Sequence, residues 1–176
     1  MKAWSHFKTI THHKILVMKG CFRIGLYKQG LLHDLSKYSP TEFLVGCRYY
    51  QGTRSPNAAE REAIGYSTAW MHHKGRNKHH FEYWTDLDMK KNGQMSGVPM
   101  PPKYVAEMIM DRIAASKTYL KERYTDASSL AYFHRSHEYE LMHPETRDLL
   151  EKLLTMLAEQ GEEATFAYIR HELLKH

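Results

Sequence analysis

Apolar residues recur at spacings of three and four along most of the chain. Strict apolar-polar alternation does not extend over any useful length, so the sequence predicts an almost wholly helical protein. The first strong helix is expected from about Thr11 to Gln29, apolar nearly all round and therefore buried, with Gly30 breaking it. A short helix then carries Leu31 to Lys37. Ser39-Pro40-Thr41-Glu42 reads as a capping box, with Pro40 at the first helical position, and starts a helix towards Tyr50. Ser55-Pro56 opens another helical region, which Gly65 interrupts before Tyr66 to Lys74. Gly75-Arg76-Asn77 is a turn, followed by a short helix through Trp84. Residues 85–102 hold three Met, two Gly and three Pro and are expected to be irregular, in the manner of a functional loop. A helix from Pro102 to Leu120 follows, with Val105, Ile109 and Ile113 at helical spacing. A small helix after Thr125, an amphipathic helix from His143 to Gly161 and a last helix to the C-terminus complete the pattern. No repeat or linker divides the chain, which is read as one domain over residues 1–176.

Composition adds exclusions. Hydrophobic residues are 42% and charged residues 26% of the 176, which is ordinary for a globular domain. The densest apolar stretch is broken by Lys19 and Arg23, so no membrane span and no leader segment are expected. Cys21 and Cys47 form no CxxC pair, which suits a cytoplasmic location. The net charge of +5 is compatible with an anionic ligand such as a nucleotide or phosphoester. Basic residues are interleaved with acids, which argues against dedicated nucleic-acid binding. Exposed faces of the last two helices would allow a homo-oligomer.

Histidine changes the picture. There are 13, with adjacent pairs at 12–13, 72–73 and 79–80 and His33 between. Imidazoles and carboxylates together are transition-metal ligands. His33 and Asp34 sit side by side among leucines, where neighbouring helical side chains would diverge by about 100°. His13 lies in the apolar first helix, and a buried imidazole needs a partner. Asp111 lies in the apolar stretch Glu107 to Ala115, where a carboxylate needs a cation, and a nearby basic side chain such as Arg112 or Lys103 would serve as well as a metal. The four histidines of His72 to His80 read equally as a solvated basic turn.

The order His13, His33-Asp34 with Lys37 (an HDxxK pattern), the pairs at 72–73 and 79–80, then Asp111 resembles the HD superfamily of metal-dependent phosphohydrolases. The resemblance covers about residues 12–116; helices at 127–176 carry no recognisable motif. A narrower resemblance, over His33 to Phe43 and His72 to Trp84, is to a small bacterial and phage family without an assigned function. The HD resemblance implies an all-α, single-domain helical bundle with a central metal site. His13, His33, Asp34 and Asp111 would hold the first ion. His73 with His79 or His80 would hold a second, bridged by Asp34, and the sequence leaves open which member of each pair ligates. One or two divalent ions (Mn, Fe, Co, Ni or Zn, with Mg also suitable) would activate water against a small phosphorylated or nucleotide substrate. Asp34 and Lys37 would be catalytic, and Lys37, Lys74, Arg76, Asn77 and Lys78 would bind the substrate. A mixed-valent di-iron oxygenase and a non-catalytic metal-stabilised module are the alternatives.

Overall fold

The computed structural model describes residues 2–136 and 140–175. Among the described residues, eight α-helices and one small hairpin, joined by short 3-10 turns and ended by a π-helical turn, make up the regular structure. They are α1 (Lys2–Arg23), α2 (Tyr27–Leu32), α3 (Pro40–Tyr49), α4 (Pro56–Ile64), α5 (Thr68–Lys74), β1 (Thr85–Asp88), β2 (Gln94–Gly97), α6 (Pro102–Leu120), α7 (Ser128–Arg135) and α8 (Pro144–Tyr168). The fold is a helical bundle, as the pattern predicts.

α6 lies at its centre, packed against α1 and α8. Burial follows from that position: Val105 to Met110 are all buried, so the helix has no solvent face over this stretch. α1 buries one stripe, His6, Ile10, His13, Val17 and Cys21, at spacings of three and four. On the far side, Leu150, Leu153, Leu154, Leu157 and Phe166 of α8 complete the core. The C-terminal helices thus back the helix that carries Asp111. α3 packs on α1, and α4 and α5 pack on α3.

Two expectations change. α1 begins at Lys2 and ends at Arg23, not between Thr11 and Gln29. Gly25, at φ +84°, takes the left-handed turn that ends it. Its early start escapes the apolar pattern because Lys2 to Ser5, Phe7 and Lys8 are exposed. The segment 85–102 is not wholly irregular. β1 and β2 pair antiparallel, with Thr85 opposite Gly97 and Asp88 opposite Gln94. Four-residue strands with little burial leave no alternation to read. Gly161 (φ 79°, ψ 178°) is non-helical, so α8 is two helical stretches joined at a kink, at the position where the sequence places a helix end. Arg23 pins the kinked end through Glu162 at 2.9 Å and lies 4.2 Å from the Phe166 ring centre. Lys117 of α6 reaches the same Glu162.

Among the described residues no helix is long and apolar enough to cross a membrane. Leu154 is fully buried beneath α6. Leu154→Ala is expected to lower unfolding stability by about 2–5 kcal/mol, read from urea denaturation of the metal-free protein.

Candidate metal centre

The adjacency of His33 and Asp34 is resolved by the backbone. α2 stops at Leu32, and His33 is extended (φ −51°, ψ 127°). Asp34 is left-handed (φ 54°, ψ 26°), and a 3-10 turn follows over Leu35–Tyr38. The two side chains therefore do not diverge as on a helix; both turn inward and are buried. A non-glycine residue in this region costs about 1 kcal/mol, and Asp tolerates it better than most. Lys14 of α1 holds the junction by donating to the carbonyls of Leu31 (2.7 Å) and His33 (2.8 Å).

The Asp34 carboxylate faces two sets of donors. Its Oδ2 lies 3.2 Å from Nε2 of His33 and 3.7 Å from Nε2 of His13. Asp111 Oδ1 closes this first group, 2.8 Å from His13 Nε2 and 3.6 Å from His33 Nε2. Asp34 Oδ1 lies 3.3 Å from Nε2 of His73 and 3.4 Å from Nε2 of His79. His80 joins this second group, its ring centre 4.1 Å from that of His79 and 4.8 Å from that of His73. Within each group the donor atoms lie within 4.8 Å of one another. Both His79 and His80 enter this second group. His72 stands outside both groups.

These residues fit a metal. Nε2 of His13, His33, His73, His79 and His80, and Oδ1 of Asp34, are buried without a directed hydrogen bond. Unpaired buried polar atoms are costly, and here they converge. A divalent cation at each group would satisfy them, and imidazole mixed with carboxylate suits borderline transition ions.

Two carboxylates missed in the sequence organise the imidazoles from behind. Glu42 Oε2 is 2.8 Å from Nδ1 of His73, and its Oε1 is 2.6 Å from Nδ1 of His72. Glu107 Oε1 is 3.0 Å from Nδ1 of His33 and 3.2 Å from Nδ1 of His79. Such outer carboxylates fix the tautomer that presents Nε2 to an ion. The capping-box reading of Glu42 is corrected: Ser39 makes no side-chain cap, and Glu42 is buried against the histidines. The signal for Glu107 was its place one turn before Asp111, on the same helical face.

Electrostatics mark the centre as a place built for positive charge. Burial would lower the His33 pKa, but the Asp34 charge, with the nearby Asp111 carboxylate and the hydrogen bond that Glu107 accepts, carries it well above the usual value. Burial would raise the Asp34 carboxyl, but the charges of His33, Lys37 and His73 hold it well below its usual range. Asp111 is likewise held down, against burial, by His13 and His33. Lys37 Nζ lies 2.5 Å from Asp34 Oδ2, and that charge outweighs burial in raising its pKa.

A cavity of about 510 Å³ opens over the centre. His13, Lys37, His73, His79, His80 and Asp111 line it, with Trp70, Tyr119 and Tyr132 among its aromatic wall and Arg54, Arg112 and Arg135 among its basic one. Arg54 forms a two-pronged ion pair with Glu62. His6 also lines the cavity; burial, with the Lys37 charge, lowers its pKa to about 4, so it is neutral at neutral pH. None of Lys74, Arg76, Asn77 and Lys78, expected from the sequence to bind substrate, lines this cavity. Asn77 instead donates to Ser36 Oγ (2.9 Å) and the His73 carbonyl (2.8 Å). Arg76 reaches back to the His72 carbonyl, and Lys78 lies over the Tyr83 ring. Asn77 and Arg76 thus brace the turn that delivers His79 and His80.

Because one carboxylate serves both groups, Asp34→Ala is expected to remove both equivalents of bound metal, measured by elemental analysis after purification. Asp34→Asn keeps a residue suited to the left-handed backbone and should keep more of the fold's thermal stability than Ala. Retention of one full equivalent in Asp34→Ala would show that the groups do not depend on a shared ligand.

No curated protein and no solved structure matches the chain. A family model described as "Family of unknown function (DUF5662)" matches residues 2–156. That span takes in every member of both donor groups and stops within α8. The chain belongs to this family of unknown function.

Proposed function

We propose that the protein is a metal-dependent phosphohydrolase of the HD type, acting on a nucleotide or another small phosphoester. The observation that carries this reading is Asp34, which turns one carboxylate oxygen to each of two buried imidazole groups at the wall of a cavity. The order of the ligands along the chain, with Lys37 after His33-Asp34, supports it. The cavity volume lies in the range of small-molecule sites.

Bound divalent ions at such a centre act as Lewis acids and lower the pKa of water towards neutrality. The chain supplies the rest. Lys37 is held protonated by Asp34 while part of its side chain remains open to the cavity, so it offers a fixed positive charge to a phosphoryl oxygen. Arg112 and Arg135 add positive charge elsewhere on the wall. Trp70 and Tyr132 offer aromatic surface to the organic part of the substrate. Burial of the imidazoles keeps bulk water from competing for the Nε2 atoms.

Protein loaded with Mn, Co, Ni, Fe, Zn or Mg is expected to release phosphate from at least one member of a panel of mono-, di-, tri- and cyclic nucleotides. Lys37→Ala should lower kcat/KM by about 10²-fold while the metal content stays at its wild-type value. Fully metal-loaded protein that is inert across the panel would remove the proposal. Iron-dependent oxygen uptake in place of phosphate release would assign di-iron oxygenase chemistry to the same ligands.

A further inference from the structure

Glu107 differs from the other carboxylates of the centre in what it joins. It lies on α6, one turn before Asp111. Its single oxygen Oε1 is 3.0 Å from Nδ1 of His33 and 3.2 Å from Nδ1 of His79. His33 belongs to the first donor group and His79 to the second. Their ring centres are 4.3 Å apart. All three residues are buried. A carboxylate oxygen has lone pairs for two N–H donors, so it can accept from both rings at once. With the proton of each ring kept on Nδ1, Nε2 is the atom left to face an ion beside Asp34. Glu42 makes a contrast: within the two groups it holds only His73.

We propose that Glu107 is a positioning residue that couples the two donor groups, so that two divalent ions load as a pair. The inference rests on the metal-binding reading of the centre. An ion drawn to His33 Nε2 increases the acidity of His33 Nδ1–H and tightens its hydrogen bond to Glu107. Glu107, once pinned, holds His79 in the orientation the second group needs. The second ion therefore meets a ring already ordered, and less conformational freedom is lost on binding. Coupling of this kind is reciprocal, so either ion favours the other. Asp34 links the groups through the ligand atoms themselves; Glu107 links them again from behind.

The test is a metal titration, read without any substrate. Metal-free wild type, Glu107→Gln and Glu42→Gln are titrated with Co2+. Bound equivalents are measured by elemental analysis after desalting and by cobalt visible absorption. Wild type is expected to take up two equivalents in one steep step, with little singly loaded protein. Glu107→Gln should weaken both equivalents by about 10- to 100-fold and separate them into two steps. Glu42→Gln, which touches one group only, should lower the affinity of the pair but leave its uptake in one step. Thermal unfolding of the metal-free forms checks that each variant is folded, and the wild-type curve alone decides if Glu107→Gln is not. Two independent, non-cooperative steps in wild type would overturn the coupling while leaving the metal centre intact. Loss of only one equivalent in Glu107→Gln would overturn it as well, because it would make Glu107 a ligand of a single ion through the alternative grouping His33, His79 and Glu107. Wild type that binds no cobalt would overturn the metal-centre reading itself.

Discussion

The carboxylate of Asp34 is the group on which the architecture of the centre depends. It is almost fully buried, and its backbone adopts the left-handed conformation that an aspartate tolerates at modest cost. Without that reversal, Leu32 to Lys37 would continue as helix, and His33 and Asp34 would point in different directions. With it, one side chain faces α1 and α6 through one oxygen and α5 and its following turn through the other. The elements that bring ligands are thus gathered around a single residue in a short connection.

Such a gathering concentrates charge where the dielectric is low. Asp34, Asp111, Glu42 and Glu107 are set against five imidazoles and Lys37. Isolated, each of these groups would be expensive to bury; together they hold one another in place. The order within the cluster is strict. Imidazole Nε2 atoms point inward to Asp34 and Asp111, and Nδ1 atoms of His33, His73 and His79 point outward to Glu107 and Glu42. The hydrophobic core of α6 and α8 lies behind this arrangement and keeps the helix that carries Glu107 and Asp111 from shifting.

Much of this was legible in the sequence, and the reasons are specific. His13, His33, Asp34 and Asp111 stood out because polar groups in apolar stretches violate the pattern that folds the rest of the chain. The histidine pairs stood out by their number. Glu42 did not, since a glutamate three residues after a serine and beside a proline is also what a helix start looks like. Glu107 did not, since one glutamate on a long helix is ordinary until its neighbours in space are known. The lysines and arginine around His72–His80 looked like ligand binders by proximity in sequence. In three dimensions that turn brings His79 and His80 to the cavity, and none of these basic groups lines it. The exposed start of α1 and the four-residue strands of the hairpin left no hydrophobic period to detect.

Glu107 and Asp111 lie four positions apart on unbroken helix, and so about 6 Å apart in axial rise. Asp111 contributes directly to the first donor group, and Glu107 supports both from the rear. α6 thus serves as a ruler between the two layers. Insertion or deletion of a single residue between them would turn one carboxylate by about 100° and separate the layers, whatever the new residue was. The exposed connection from Asp88 to Gln94 sets no such distance. Length variation is therefore tolerable in the hairpin and forbidden in this one helical turn.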